Sequence, residues 1–190
     1  KVQITAEIKD DVISVVVPNV EQKFDMSLKK FITKVDDKNL ESREPEFVKG
    51  ENGSYTYKKN DELESVVNNN LVTYTIRVYN EGSMAGYAAQ IKDHLPEYLE
   101  FVDGDFNKKY GWEVSEDGRT VTTKYLSDDK YLIEAAVEKN GKIELDYKDV
   151  PIMCKVKSTA KTGEKVTNIA DISIYEDEKH KEIGDRDSSK

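Results

Sequence analysis

Three polar side chains of this sequence fall on strand faces that are otherwise apolar: Lys30, Asp93 and Asn168. Alternate residues of a β-strand share a face, so the alternation of apolar residues around each position predicts that its side chain points into the core. A buried amine loses its proton because desolvation lowers its pKa, and a buried carboxyl group keeps its proton because desolvation raises its pKa. The set therefore combines a neutral amine nucleophile, a neutral acid and an amide carbonyl.

Such a set supports the formation of an amide bond between two side chains. With Lys30 Nζ held against Asn168 Cγ, the Asp93 carboxyl hydrogen-bonds the amide oxygen, polarises the carbon and relays a proton to the departing ammonia. The predicted product is an isopeptide crosslink between Lys30 and Asn168, with Asp93 as the assisting acid. Taken singly, each residue has a structural explanation, as a Lys extending to solvent, a turn-capping Asp or an Asn that satisfies backbone groups. The three together favour the crosslink, because an unpaired buried charge is costly.

The elements that must position these residues are β-strands. Apolar residues recur mainly with period two, in runs rich in Val, Ile, Tyr and Thr that turn signals separate at short intervals. This pattern predicts an all-β, immunoglobulin-like two-sheet sandwich with at most one short helix, which we place at 127–139. Nine strands are predicted after residue 20, at 24–34, 54–58, 71–79, 86–93, 110–115, 119–125, 142–147, 150–157 and 165–175.

The predicted chain organisation has three parts. Residues 1–20 form an N-terminal strand pair or the end of a preceding domain, and 21–176 form the crosslinked sandwich. Residues 177–190 are polar and mixed in charge, which is typical of an exit linker toward a further module. The sequence shows no secretory signal and begins within a strand-like run, so we expect a piece of a longer protein whose targeting segments lie outside it.

Composition narrows the classes of partner. A formal net charge of −9 argues against nucleic acid and anionic membranes as partners, since both select for clustered Lys and Arg. The apolar stretches are far shorter than the roughly 20 residues that span a bilayer. The single cysteine, Cys154, cannot make an internal disulfide and is predicted to be a small core residue. We expect no cofactor and no metal, because His94 and His180 are isolated in the sequence.

Three segments resemble the fimbrial isopeptide-forming domains of Gram-positive pilins and adhesins. They are FDMSLKKFITKV, VTYTIRVYNEGSMAGYAAQIKDHLPEYLEFV and KVTNIADISIY, and the resemblance covers about residues 24–175. In such domains the reactive Lys lies on the first strand, the catalytic Asp precedes a Leu-Pro in a middle strand, and the Asn lies in a final Thr-Asn-x-Ala strand. Lys30, Asp93 and Asn168 occupy the matching positions.

The sequence departs from this family at one position and offers a rival at another. His94 stands between Asp93 and Leu95, where relatives often carry a hydroxyl or aromatic residue. Lys29 is a rival nucleophile next to Lys30, but strand alternation directs its side chain outward.

The resemblance implies an extracellular module, anchored to the cell wall through segments outside this chain. Its role would be structural, in a stalk or adhesin, with one self-crosslinking turnover and no further enzymatic activity. The implied partners are neighbouring domains of the same surface protein, together with an unknown host or cell-wall ligand. The lack of cysteine pairs fits, because a secreted protein without disulfides needs another source of kinetic durability.

Two alternatives stay open on the sequence alone. The first is a ligand-binding adhesin module without a crosslink, in which Tyr98, Tyr110, Trp112 and Tyr125 contact a glycan or a host protein. The second is a hydrolase that uses two of the 38 acidic residues. No nucleophile elbow, phosphate loop or metal-spaced His pair in the sequence supports the second.

Overall fold

The computed structural model of the chain describes residues 5–9, 12–16, 22–40, 43–49, 55–58 and 64–184, the first two ranges as backbone only. Within these ranges, no helix is long and apolar enough to cross a membrane. The strands in chain order are β1 (Thr5–Lys9), β2 (Val12–Val16), β3 (Met26–Val35), β4 (Lys38–Asn39), β5 (Glu46–Lys49), β6 (Tyr55–Lys58), β7 (Leu71–Asn80), β8 (Gly86–His94), β9 (Leu99–Phe101), β10 (Glu113–Val114), β11 (Thr120–Thr123), β12 (Val137–Lys139), β13 (Lys142–Glu144), β14 (Tyr147–Val156), β15 (Ile169–Asp177) and β16 (Glu182–Ile183).

Two five-stranded antiparallel sheets form the body of the protein, which confirms the predicted all-β class. One sheet has the strand order β4-β3-β7-β14-β9, and the other has the order β10-β11-β8-β15-β16. Three hairpins, β1-β2, β5-β6 and β12-β13, form separate two-stranded sheets. The first and last long strands of the sandwich, β3 and β15, therefore belong to different sheets.

The core lies between the two sheets because alternate residues of each long strand point inward. In β14, Val150, Ile152, Cys154 and Val156 are buried at every second position. The core cluster draws on both sheets and on the loops that close the ends of the sandwich. Its buried members are Phe24, Met26, Val72, Tyr74, Ile76, Val78, Ala88, Ile91, Leu95, Leu99, Trp112, Val121, Leu126, Ile133, Val150, Ile152, Cys154, Val156 and Ile172.

The hairpin β5-β6 covers the outer face of the first sheet. The ring of Tyr79 on β7 lies 5.1 Å from that of Tyr57 and 6.4 Å from that of Phe47, measured between centroids. Strand β7 is consequently buried on both faces, unlike most strands of the protein.

Residues 127–139 do not form the predicted helix. The segment contains two single turns of 3₁₀ helix, Tyr125–Ser127 and Asp129–Tyr131, followed by extended chain. Ile133 is fully buried, and its backbone exchanges two hydrogen bonds with Gly86, of 2.9 and 3.1 Å. These tertiary contacts outweigh the helical propensity of the local sequence. The one α-helix of the described residues, α1, is the short Asp105–Lys109.

Parts of the chain differ from the predicted boundaries. The predicted exit linker, 177–190, begins as part of the fold: residue 177 ends β15, and the chain then turns back as β16. Tyr175 of β15 lies opposite Ile183 of β16. Residues 185–190 lie outside the described part of the chain. The predicted strand at 110–115 is reduced to β10. Residues 5–9 and 12–16 form an antiparallel pair.

A β-bulge changes which residues of β8 face the core. In the β8-β15 ladder, Ala89 and Ser173 have no cross-strand partner, and the register shifts around them. Strict alternation from Asp93 along the strand predicts that Tyr87 faces inward, but Ala88 lies in the core cluster and Tyr87 stacks on His180 instead. An extra residue in a strand reverses the alternation beyond it, which explains the difference.

Candidate functional site

Strand β3 presents Lys30 to the space between the sheets. Lys30 lies opposite Ile76 of β7, on the same strand face as Leu28 and Ile32, both of which pack against the core. Its side chain is only 6% exposed, and Nζ contacts Asp93 Oδ2 directly. The amine also lies 4.7 Å from the ring centroid of Tyr74. The predicted inward orientation of Lys30 is therefore found in the structure.

Asp93 reaches the same place from the opposite sheet. It lies on β8 between two neighbouring strands, opposite Val121 of β11 and Ala170 of β15. Its side chain has no exposed surface. The contact with Lys30 thus joins the two sheets across the core, between partners that are 63 positions apart in the chain.

Asn168 stands immediately before β15, and not within a strand as the predicted range 165–175 implied. The ladder with β8 begins at Ile169, which lies opposite His94. Asn168 is two residues ahead of Ala170, the partner of Asp93, so alternation directs its side chain to the Asp93 side of the strand. Val166, two residues earlier, packs against the core. Burial raises the pKa of Asp93, and the nearby Asn168 amide opposes part of this rise.

The hydrogen bonding of this site is incomplete. Among the described residues, three buried side-chain polar atoms lack a hydrogen-bond partner of standard geometry: Asp93 Oδ1 and both amide atoms of Asn168. Buried polar groups in folded proteins are nearly always paired, because an unpaired one carries the full cost of desolvation. The unpaired atoms all belong to two of the three residues singled out from the sequence.

Burial moves the pKa values of the pair toward the neutral forms. Desolvation lowers the pKa of Lys30, although the negative charge of Asp93 opposes this. Desolvation raises the pKa of Asp93, and the positive charge of Lys30 opposes that shift in turn. Burial is the larger effect for both groups, so the net shift of each pKa is toward the uncharged form.

Cys154 is a neighbour of the site that the sequence did not connect with it. The thiol is fully buried on β14, and burial, followed by the nearby charge of Asp93, raises its pKa to about 12. Alternation predicted its burial but not its neighbours, since Cys154 is more than 60 residues from Asp93 in the chain. At this pKa the group is a thiol at neutral pH and acts as an apolar wall of the site.

Lys29, the rival nucleophile, and His94, the neighbour of Asp93, both face away from the site. Lys29 Nζ lies 4.2 Å above the ring of Tyr57 in the hairpin that covers the outer sheet face, and it contacts Ser27 Oγ. His94 is half-exposed and its Nε2 lies 2.5 Å from Asp171 Oδ1 on the adjacent strand. Neither side chain reaches the space between the sheets.

Trp112 lies apart from the aromatic residues that remain candidates for ligand binding. Trp112 is buried, and its Nε1 donates a 2.8 Å hydrogen bond to the Pro151 carbonyl oxygen. Tyr110 and Tyr125 are half-buried and lie 5.0 Å apart between ring centroids. The ring of Tyr110 also packs against that of Phe106, and the ring of Tyr125 packs against that of Tyr131. In the part of the chain that the structure describes, no three His, Cys, Asp or Glu side chains are grouped so as to hold a metal ion.

Comparison of the chain with protein-family models, with curated proteins and with solved structures finds no match.

Proposed function

We propose that this chain is a structural module of a bacterial cell-surface protein, stabilised by an isopeptide bond that forms by itself between Lys30 and Asn168. The observation that carries the proposal is the unpaired Asn168 amide buried beside the Lys30–Asp93 contact. A fold that buries an amide without a hydrogen bond of standard geometry is difficult to explain by stability alone. An amide in this position, beside a buried amine and a buried acid, supports attack by the amine on the amide carbon.

The proposed reaction balances with the side chains of the chain itself. Lys30 Nζ adds to Asn168 Cγ, and Asp93 donates a proton to the amide oxygen as negative charge develops there. Asp93 then moves the proton released by the amine to Asn168 Nδ2. The Cγ–Nδ2 bond breaks and ammonia leaves. The proton on the oxygen then returns to Asp93, which re-forms the carbonyl and leaves Asp93 in its starting protonation state. The reaction occurs once in each molecule, so the protein is its own substrate.

The strand topology supports a load-bearing role. Lys30 lies on the first strand of the sandwich and Asn168 directly precedes the last, and these strands belong to different sheets. A bond between them connects the entry and exit of the module covalently. Tension applied through the two chain ends then passes across this bond and leaves most of the strand ladders unloaded. We infer from this a cell-surface stalk or adhesin, whose neighbours are further modules of the same protein.

Intact-mass spectrometry tests the proposed function directly. The crosslink removes one ammonia, so the purified chain should be lighter than its sequence mass by about 17 Da, because the amine displaces the amide nitrogen. Lys30→Ala and Asn168→Ala should each restore the full mass calculated for the variant. Peptide sequencing after proteolysis should find residues 30 and 168 in one branched peptide.

Lys29→Ala is the matched control, since it removes the adjacent amine on the outer face and should keep the deficit. A wild-type chain of full sequence mass contradicts the crosslink. That outcome favours a ligand-binding module, with the half-buried aromatic row from Phe106 to Tyr131 as its contact surface.

A further inference from the structure

The hairpin turn between β15 and β16 is held by its own backbone and by Asp177. The Asp177 N–H donates to the Lys181 carbonyl oxygen at 2.9 Å, and the His180 N–H donates to the Asp177 carbonyl oxygen at 3.0 Å. Asp177 Oδ1 accepts from the N–H groups of Lys179 and Lys181, at 2.8 and 2.9 Å. His180 has a φ of 58°, a left-handed conformation that directs its side chain back over the sheet.

The His180 ring contacts three different elements. Its Nδ1 lies 2.8 Å from Glu176 Oε2 on β15, and its Nε2 lies 2.7 Å from Asp129 Oδ1 in the second 3₁₀ turn. The ring stacks on Tyr87 of β8, with 4.3 Å between centroids and an interplanar angle of 14°. Tyr87 is only 4% exposed beneath it. One side chain thus fastens the C-terminal hairpin to the crossover segment between the sheets.

The chemistry of these contacts selects one protonation state. An ionised carboxylate accepts hydrogen bonds and donates none, whereas a neutral imidazole donates from one nitrogen only. Both ring nitrogens of His180 can donate to carboxylates only when the ring carries two protons. We propose that His180 is a pH-dependent clamp, closed as an imidazolium between Asp129 and Glu176, and that its deprotonation releases the C-terminal hairpin of the module.

The surrounding charges are consistent with a protonated ring. The hydrogen bond to Asp129, followed by that to Glu176, raises the pKa of His180 above its usual value of 6.5. Asp128 and Glu134 add negative charge around Tyr87. The opposing cations are Lys130, which pairs with Asp128 at 3.5 Å, and the turn residues Lys179 and Lys181, beside Glu178.

The direction of the pH effect follows from this shift. Folding raises the pKa of such a histidine, so the protonated ring stabilises the folded state. This stabilisation is complete when the pH is below the pKa of the unfolded state, and it is lost as the pH rises through the pKa of the folded state. The clamp should therefore hold at about pH 6, where both carboxylates are ionised, and open on the alkaline side of the raised pKa. Residues 169–184 lie outside the loop that a 30–168 bond would close, so the hairpin can open without breaking that bond.

Amide hydrogen exchange on the whole chain tests the clamp. Protection factors, which correct for the intrinsic pH dependence of exchange, are measured for the Asp177 and His180 amides at about pH 5.5 and about pH 8.5. We expect the wild-type protection to fall on the order of tenfold at the higher pH, because one charge-assisted hydrogen bond is lost. His180→Asn tolerates the left-handed conformation but has no titrating ring, so it should show low protection at both pH values.

His94→Asn is the matched control, because it removes the other histidine that contacts a carboxylate and should keep the wild-type pH response. Asp129→Asn retains His180 and should shift the NMR titration midpoint of its ring to lower pH, which provides a readout even if His180→Asn folds poorly. Equal wild-type protection at the two pH values overturns the proposal, and so does an unchanged pH response in His180→Asn.

Discussion

Asn168 lies two residues ahead of Ala170, which is the cross-strand partner of Asp93 in the β8-β15 ladder. This register places the amide and the acid on the same side of one sheet, while Lys30 reaches the acid from the other sheet. The ladder begins at Ile169, directly after Asn168, so its pairing includes Asp93 but not Asn168. Four predictions follow from this arrangement and from the packing around it.

Asp93→Asn should prevent or strongly slow the loss of ammonia while Lys30 and Asn168 are both present. An amide side chain of nearly the same shape cannot exchange protons with the reacting groups, and a positioned acid or base contributes roughly 10²–10⁴-fold to such reactions. The measurement is the intact mass as a function of time after the chain is synthesised. His94→Ala, which alters the exposed neighbour, should react at the wild-type rate; equal rates for Asp93→Asn and wild type would remove Asp93 from the mechanism.

The crosslink should raise the free energy of unfolding substantially. It closes a loop of 168 − 30 = 138 residues, for which the chain-entropy model gives about 5 kcal/mol of stabilisation. Denaturant unfolding of the wild type and of Asn168→Ala measures the difference. Thr167→Ala is the control, because it changes an exposed neighbour and retains the bond. Coincident unfolding curves for wild type and Asn168→Ala would contradict the stabilising role.

Cys154 should resist alkylation in the folded protein. Its thiol is buried and has a pKa of about 12, so at pH 8 almost none of it is the reactive thiolate. We expect labelling by iodoacetamide to require unfolding, and to be slower in the wild type than in Lys30→Ala, whose core opens more often without the bond. Labelling is followed by mass, and rapid labelling of native wild type would place the thiol outside the core.

Asn107→Ala should destabilise the fold without affecting the crosslink. The fully buried Asn107 side chain donates 2.8 Å hydrogen bonds to the Val102 and Met153 carbonyl oxygens and accepts one of 2.9 Å from the Met153 N–H. Truncation leaves three backbone groups unpaired, which we expect to lower the free energy of unfolding by about 3 kcal/mol. The comparison uses denaturant unfolding beside the exposed neighbour variant Lys108→Ala. An unfolding midpoint unchanged from wild type would show that water replaces these contacts.

Strand alternation was sufficient to place Lys30 and Asp93 because both ladders are regular around them. The bulge of β3 falls at Thr33, after Lys30, and that of β8 falls at Ala89, before Asp93. Beyond these points the same rule fails, as the outward position of Tyr87 shows. Bulges depend on how two distant strands meet, and a single sequence carries little information about that.

Other features depended on contacts that local sequence does not encode. The segment 127–139 has helical propensity, but the pairing of Ile133 with Gly86 holds it extended. The proximity of Cys154 to the site and the contact of His180 with Asp129 both join residues far apart in the chain.

Local sequence does explain the turn of the β12-β13 hairpin. The Asn140-Gly141 pair forms this two-residue turn, where both residues have positive φ, of 53° and 74°.

Because β3 and β15 belong to different sheets, formation of the proposed crosslink depends on whether each molecule has folded correctly. Lys30 and Asn168 can meet only after both sheets have formed and packed in the correct register, so a partly folded or misfolded chain could not make the proposed bond. Once made, the bond would persist through later denaturation. The mass of an individual chain, even when it is measured fully unfolded, would therefore record whether that chain was ever correctly folded.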